Sequence, residues 1–248
     1  ALVVIGGGAE SLPALENERL ASYIRRAGET LEIVLNNGLA EEVALAFPGQ
    51  EGVPDLVGAL PASQATFRVD ALQAGTYLYE AGLTLGGTRQ VAMGLFGALI
   101  VEPGPTADQE VVMVFSELDP AFNAAPLNFI LFHFKPKYWL INGQAYPDTG
   151  QIPVTANTTL LLRYLNAGVE HRTIGLLGLD QQIQAVNGEA LVYPRGAVAE
   201  PLAPGETKEA LVSVPLVDSG TLYPLYNGSL HHHNNNQRLS DNRAAFGG

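Results

Sequence analysis

A chain of 248 residues, 47% hydrophobic and 15% charged, is long enough for one large or two ordinary domains and too apolar for disorder. Its net charge of −12 argues against a nucleic-acid partner, because an acidic surface repels phosphate, and otherwise reads as ordinary solubility. The absence of cysteine excludes disulfides, thiolate catalysis, Cys-ligated zinc, iron–sulfur clusters and a Cys-ligated blue-copper centre. No apolar run reaches the roughly 20 residues of a membrane helix, so no membrane insertion is expected. The abundant turn residues, Gly 27 and Pro 16, suit an all-β chain of short strands.

The chain starts apolar, Leu2-Val3-Val4-Ile5, and runs into Gly6-Gly7-Gly8. That triplet lacks the spacing and the following helix of a nucleotide-binding loop and reads as a flexible connection. Leu20 to Arg25 is a candidate strand, and Arg26-Ala27-Gly28-Glu29 a turn. Thr30 to Asn37 alternates strictly and puts Leu31, Ile33 and Leu35 on one face. Ala65 to Val69 alternates again. Ala74 to Gly82 alternates Thr76, Leu78 and Glu80 with Tyr77, Tyr79 and Ala81, which predicts a pleated strand with one buried face. Gly94 and Gly97 mark a bend or a close backbone approach before Ala98-Leu99-Ile100-Val101. Pro103-Gly104-Pro105-Thr106 is the clearest linker, so the predicted domains are 1–104 and 105–248.

The second half repeats the pattern. Glu110 to Glu117 is an apolar strand ending in a turn at Asp119-Pro120. Trp139-Leu140-Ile141-Asn142-Gly143 reads as a hairpin, and Thr158 to Leu165 as a strand. Ile183 to Val186 then turns at Asn187-Gly188, and Leu202-Ala203-Pro204-Gly205-Glu206 leads into a last apolar strand.

Several of these stretches, in this order, resemble the multicopper oxidase family. Gln90, Gly94, Leu95, Gly97, Ala98, Leu99, Ile100 and Val101 fit its "Q-x-x-x-G-L-x-G-A-L-I-V". Leu31, Ile33 and Leu35 followed by Asn36-Asn37 resemble the family's strand of alternating apolar residues that ends in a double Asn. Leu140 to Pro147 fits "L-I-N-G-x-x-x-P", Leu165-Asn166-Ala167-Gly168 fits "L-N-A-G", and Leu202 to Val212 fits "L-x-P-G-E" with its following strand. The resemblance spans about residue 20 to about residue 230. It implies an all-β fold of two tandem cupredoxin-like Greek-key β-sandwich domains.

The resemblance also implies where copper would bind. The family carries H-x-H pairs on two strands, and imidazoles at i and i+2 point the same way and can share a metal. At those positions this chain has Ala44 and Ala46 on one strand, Glu80 and Gly82 on the other. Its five histidines are too few for the family's three-copper cluster, and the segment matching the family's C-terminal H-C-H is Tyr223-Pro224-Leu225-Tyr226. No cofactor is therefore expected at the family site. Glu80 is expected either to face solvent or to meet a partner such as Arg89. His133 and His171 read as structural or surface residues. His231-His232-His233 is the one dense ligand source, and His231 and His233 could converge as a weak, adventitious copper site; an exposed polar loop is the plainer account. Dispersed acids and the lack of a nucleophile motif leave no hydrolytic candidate. The sequons Asn157-Thr158-Thr159 and Asn227-Gly228-Ser229 matter only in a glycosylating host.

In longer proteins of this type, a segment like Arg243 to Gly248 leads into a strand that closes the second domain. Three expectations follow for that C-terminal edge: a fragment of a longer protein, a strand donated by a partner chain or by self-association, or a tolerated short edge. The Met-less start is what signal removal would leave, and with the resemblance it sets an expectation of export to the periplasm, cell surface or medium. The function expected is a copper-free structural or assembly role. The alternative is the N-terminal part of a larger multicopper oxidase whose active domains lie elsewhere.

Overall fold

The computed structural model describes residues 2–5, 23–52, 56–104, 106–146 and 148–228. The chain divides into two units, 1–103 with 119–135 and 104–118 with 136–248. Each unit is built from two sheets facing one another across an apolar core.

In the first unit, β1 (Leu2–Ile5), β3 (Leu31–Asn37) and β5 (Gln64–Val69) make one sheet, β1 parallel and β5 antiparallel to β3. The second sheet has β2 (Tyr23–Arg26), β7 (Phe96–Glu102), β6 (Gly75–Ala81) and β4 (Leu45–Ala46), in that spatial order. Alternation dictates the core. Leu31, Ile33 and Leu35 of β3 and Phe67 and Val69 of β5 meet Tyr77 and Tyr79 of β6 and Leu99 and Val101 of β7. Burial of these side chains, at about 1.5–3 kcal/mol each, is what holds the sheets together.

The β6 strand departs from the predicted single buried face. Thr76 and Leu78 are buried as fully as Tyr77 and Tyr79. Both faces of β6 are covered, while its backbone is bonded to β7 on one side and β4 on the other. Gly94 and Gly97 behave as expected. Gly94 has φ +104, and a Cβ on Gly97 would come within 2.4 Å of the Tyr79 ring across the ladder.

The second unit has a seven-stranded sheet. Its strands are β8 (Gln109–Leu118), β9 (Tyr138–Ile141), β10 (Gln144–Ala145), β11 (Thr158–Asn166), β13 (Gln181–Val186), β14 (Glu189–Ala197) and β16 (Thr207–Val214). They are ordered β10-β9-β8-β11-β16-β13-β14. A smaller sheet contains β12 (Arg172–Leu176), flanked by β15 (Ala199–Leu202) and β17 (Leu225–Asn227). Met113, Phe115, Leu162, Tyr164 and Val212 of the large sheet pack on Ile174 and Leu202 of the small one. The Asn142-Gly143 and Asn187-Gly188 turns both have positive φ at both residues, the geometry that two-residue hairpin loops require.

One wiring pattern occurs in both units. Asn37 ends β3, and its Nδ2 donates to the carbonyls of Glu41 and Ala59 while its Oδ1 accepts from the Leu39 amide. Asn166 ends β11 and does the same with Glu170, Leu202 and the Gly168 amide. Each asparagine binds an amide and a carbonyl of the loop that leaves its strand and a carbonyl of a second, distant segment, and so ties the two together.

The predicted turn at Asp119-Pro120 is a short helix, α2 (Pro120–Ala124), with Asp119 as its cap. Asp119 Oδ1 accepts from the Ala121 and Phe122 amides and Oδ2 from the Lys135 amide at 2.8 Å, so the segment 119–135 is closed at its base. The expectations for Gly6–Gly8, for His231 and His233 and for the C-terminal edge lie outside the described residues. Among the described residues, no helix is long and apolar enough to cross a membrane.

Candidate functional site

The four positions singled out from the sequence come together. In the antiparallel pair β4–β6, Leu45 lies opposite Ala81 and Ala46 opposite Glu80. The Gly82 amide donates to the Ala44 carbonyl at 2.8 Å, which continues the same register. Ala44, Ala46, Glu80 and Gly82 therefore share one side of the ladder, since residues two apart on a strand point the same way. Between them they offer a single donor group, the Glu80 carboxylate.

Packing closes the site further. Ala44 is fully buried. A Cβ built on Gly82 would lie 2.7 Å from the Ala44 Cβ, and one on Gly58 only 2.2 Å from the Val43 carbonyl oxygen. Val43 bridges to Ala59 as well. Loops 56–60 and 82–87 thus converge on Val43 and Ala44 from two sides.

Glu80 follows neither expectation. It is half-buried, and among the described residues no ion pair or hydrogen bond reaches its carboxylate. Burial pushes its pKa above the ordinary glutamate value. Arg89 is engaged elsewhere: from α1 (Gly87–Ala92) it pairs with Glu41. Next to it, buried Gln90 donates from Nε2 to the Glu42 carbonyl at 2.9 Å, and Glu42 Oε1 accepts from the Gly58 amide at 2.6 Å. Glu41, Glu42, Arg89 and Gln90 together brace the loops around Ala44. Sequence reasoning took Gln90 only as part of a motif and did not see this brace. The Gly-flanked apolar runs Leu56-Val57-Gly58 and Leu83-Thr84-Leu85-Gly86-Gly87 were its only local signal.

His133 and His171 are both exposed. Among the described residues, no three His, Cys, Asp or Glu side chains are grouped so as to hold a metal ion. The charged groups that are buried are paired in place. In the second unit, Arg163 lies between Glu110 and Glu209, and Arg172 pairs with Glu117. Burial raises the Glu117 pKa and lowers that of Arg172. Glu117 also accepts from the Val169 and Glu170 amides at 2.9 and 3.3 Å. Lys208 Nζ bonds fully buried Glu200 at 2.6 Å, and Arg195 reaches the same oxygen. These pairs tie strands and loops of the second unit to one another.

Solved structures supply the comparison. The chain superposes on a blue copper oxidase from Nitrosomonas europaea with a TM-score of 0.77, at 20% identity, over 90% of this chain and 73% of that one. It shares the fold of these copper proteins. The multicopper oxidase mgLAC matches with a TM-score of 0.75, at 18% identity, over 84% of this chain and 69% of the other. The copper-containing nitrite reductase of Thermus scotoductus SA-01 matches with a TM-score of 0.72, at 20% identity, over 84% of this chain and 51% of that enzyme. No protein-family model and no curated protein matches the sequence. The likeness establishes the all-β, cupredoxin-like sandwich architecture expected from the sequence.

Proposed function

We propose that this chain is a copper-free cupredoxin pair with a structural or assembly role in an exported protein. One observation carries the reading: the side of the β4–β6 ladder where the resemblance places copper ligands bears Ala44, Ala46, Glu80 and Gly82. One carboxylate cannot replace a set of imidazoles, which are the nitrogen donors copper favours. The space beyond Gly82 is already taken by Ala44. The residues present do not fit copper there, and no oxidation step is assigned to them.

The apolar end around this ladder supports an assembly role. Leu56, Val57, Leu60, Leu83 and Leu85 are all exposed on the two loops that meet at Ala44. Side chains of this kind grouped on one surface mark a contact face more often than free surface.

A second reading is the N-terminal part of a larger multicopper oxidase, with the active domains outside this chain. The chain covers 73% of the blue copper oxidase, 69% of mgLAC and 51% of the Thermus nitrite reductase, so each of these solved proteins has sequence beyond what matches here. Oxygen consumption with a phenolic donor, measured after copper loading, tests the first reading. The expected result is no turnover above free copper. Turnover that tracks bound copper would overturn it. Intact-mass analysis of native material separates the second reading, which requires a mass well above that of this chain.

A further inference from the structure

Of the chain's three lysines, Lys135 and Lys137 are exposed and Lys208 is buried. Lys208 lies opposite Tyr164 in the β11–β16 ladder, and Tyr164 is a core residue. Ala210 and Val212 follow on the same side of β16 and belong to the core as well, so Lys208 sits on the inward face. Glu200 shares a side of β15 with core Leu202, in the facing small sheet, and is fully buried. One charged side chain from each sheet therefore enters the same core, and the two meet with Nζ 2.6 Å from Oε1.

The other buried pairs of this unit use arginine, at Arg163 and Arg172. A guanidinium stays charged, whereas a lysine that gives up a proton becomes a nucleophilic amine. The surroundings of Lys208 supply what amide formation asks for. Glu206 Oε2 lies 3.3 Å from Nζ and can take the proton. The Pro201 carbonyl accepts from Nζ at 2.5 Å and holds the nitrogen in place. Arg195 donates to Glu200 Oε1 at 2.7 Å, where negative charge builds up when the carboxyl carbon is attacked. Glu200 Oε2 is buried, and no hydrogen bond among the described residues reaches it, so it is the oxygen free to leave. Burial shields the pair from bulk water, and fixed contact replaces a bimolecular encounter.

We propose that Lys208 and Glu200 condense into an intramolecular isopeptide bond between β16 and β15. Glu206 takes one ammonium proton, and the Nζ lone pair attacks Glu200 Cδ. The Nζ–Cδ bond forms and the Cδ–Oε2 bond breaks. Of the three ammonium protons, one stays on the amide and two leave with Oε2 as water, one of them returned by Glu206. A cation and an anion vanish together, so the net charge is unchanged, and no oxidant or reductant is needed. The link fastens the two sheets of the second unit covalently, which a chain without cysteine cannot achieve with disulfides. It stands apart from the question of copper.

Intact-mass spectrometry of the purified, denatured chain tests it. The expected mass is that of the amino-acid sequence less one water. Tryptic digestion locates the loss: cleavage after Lys208 should be absent, and a peptide running from Gly196 through Lys208 to Arg238 should carry the deficit. Lys208→Met should keep the full mass of its sequence. Glu206→Gln can still accept from the Ala203 amide, so it should fold as the parent does and yet keep its water. A parent at full mass with ordinary cleavage after Lys208 would overturn the proposal, as would a deficit that maps to another peptide or persists in Lys208→Met. A Glu206→Gln chain that loses water as completely as the parent would overturn the proton route. The decisive reading is made on the unaltered chain, so it does not depend on any variant folding.

Discussion

Ala46 and Glu80 are cross-strand partners on β4 and β6, so the only ionisable group on that side of the ladder faces a methyl group. Among the described residues Glu80 has no counter-charge, and burial raises its pKa. The sign of the linkage follows. A raised folded pKa means that the native state holds the proton more tightly, so this group's stabilisation is full in acid and is lost as pH rises through the folded pKa. Glu80→Gln should therefore melt higher than the parent at pH 7. The two curves should converge as pH falls toward the ordinary glutamate pKa of about 4.3. Thermal melts across that window check it, and a lower melting point for Glu80→Gln at pH 7 would refute the assignment.

The Tyr79 ring occupies the space where Gly97 would carry a Cβ. Gly97→Ala should cost about 1–3 kcal/mol as an overpacked core substitution. Gly175 stands in the same relation to Tyr226 in the second unit, with a built Cβ 2.5 Å from that ring. Tyr226 is exposed, so its ring can move aside, and Gly175→Ala should cost less than Gly97→Ala. Urea denaturation of the two variants gives the comparison.

Asn37 and Asn166 each hold the loop that follows a long strand through three hydrogen bonds. Replacing either by alanine leaves buried backbone groups unpaired, at about 1–3 kcal/mol for each group left without a partner. Amide hydrogen exchange should show lost protection at Leu39 for Asn37→Ala and at Gly168 for Asn166→Ala.

The Glu117–Arg172 pair is almost completely buried on both sides. Glu117→Ala removes the counter-charge and the acceptor for the Val169 and Glu170 amides, and should cost about 3–5 kcal/mol. Removing both partners together, as Glu117→Gln with Arg172→Met, should cost less than Glu117→Ala alone, since no bare charge stays behind. Denaturant melts of both variants decide it.

Much of the fold was legible where strands such as β3 and β13 write their burial at a period of two. Leu31, Ile33 and Leu35 announced the face they bury, and Asn142-Gly143 announced its hairpin. The β6 strand was misread where alternation carries no information: a strand buried on both faces looks the same whichever face is counted. Asp119-Pro120 was read as a turn although Asp119 caps the Ala121 and Phe122 amides locally; what lay out of sight was the bond from the Lys135 amide, far along the chain, that closes the segment 119–135. The brace around Ala44 was hidden for the same reason, since Glu41 and Arg89 are distant in sequence. The pairing of Ala44 and Ala46 with Glu80 and Gly82 was suggested by resemblance and became geometry only through the β4–β6 register.

Equilibrium dialysis against Cu²⁺, followed by elemental analysis, tests the central claim most directly. The chain is compared with a variant in which His231, His232 and His233 are alanine, so that copper held by that tract is removed from the count. The account predicts that the variant retains no stoichiometric copper after dialysis into metal-free buffer. One or more tightly held copper ions per chain in that variant would contradict it.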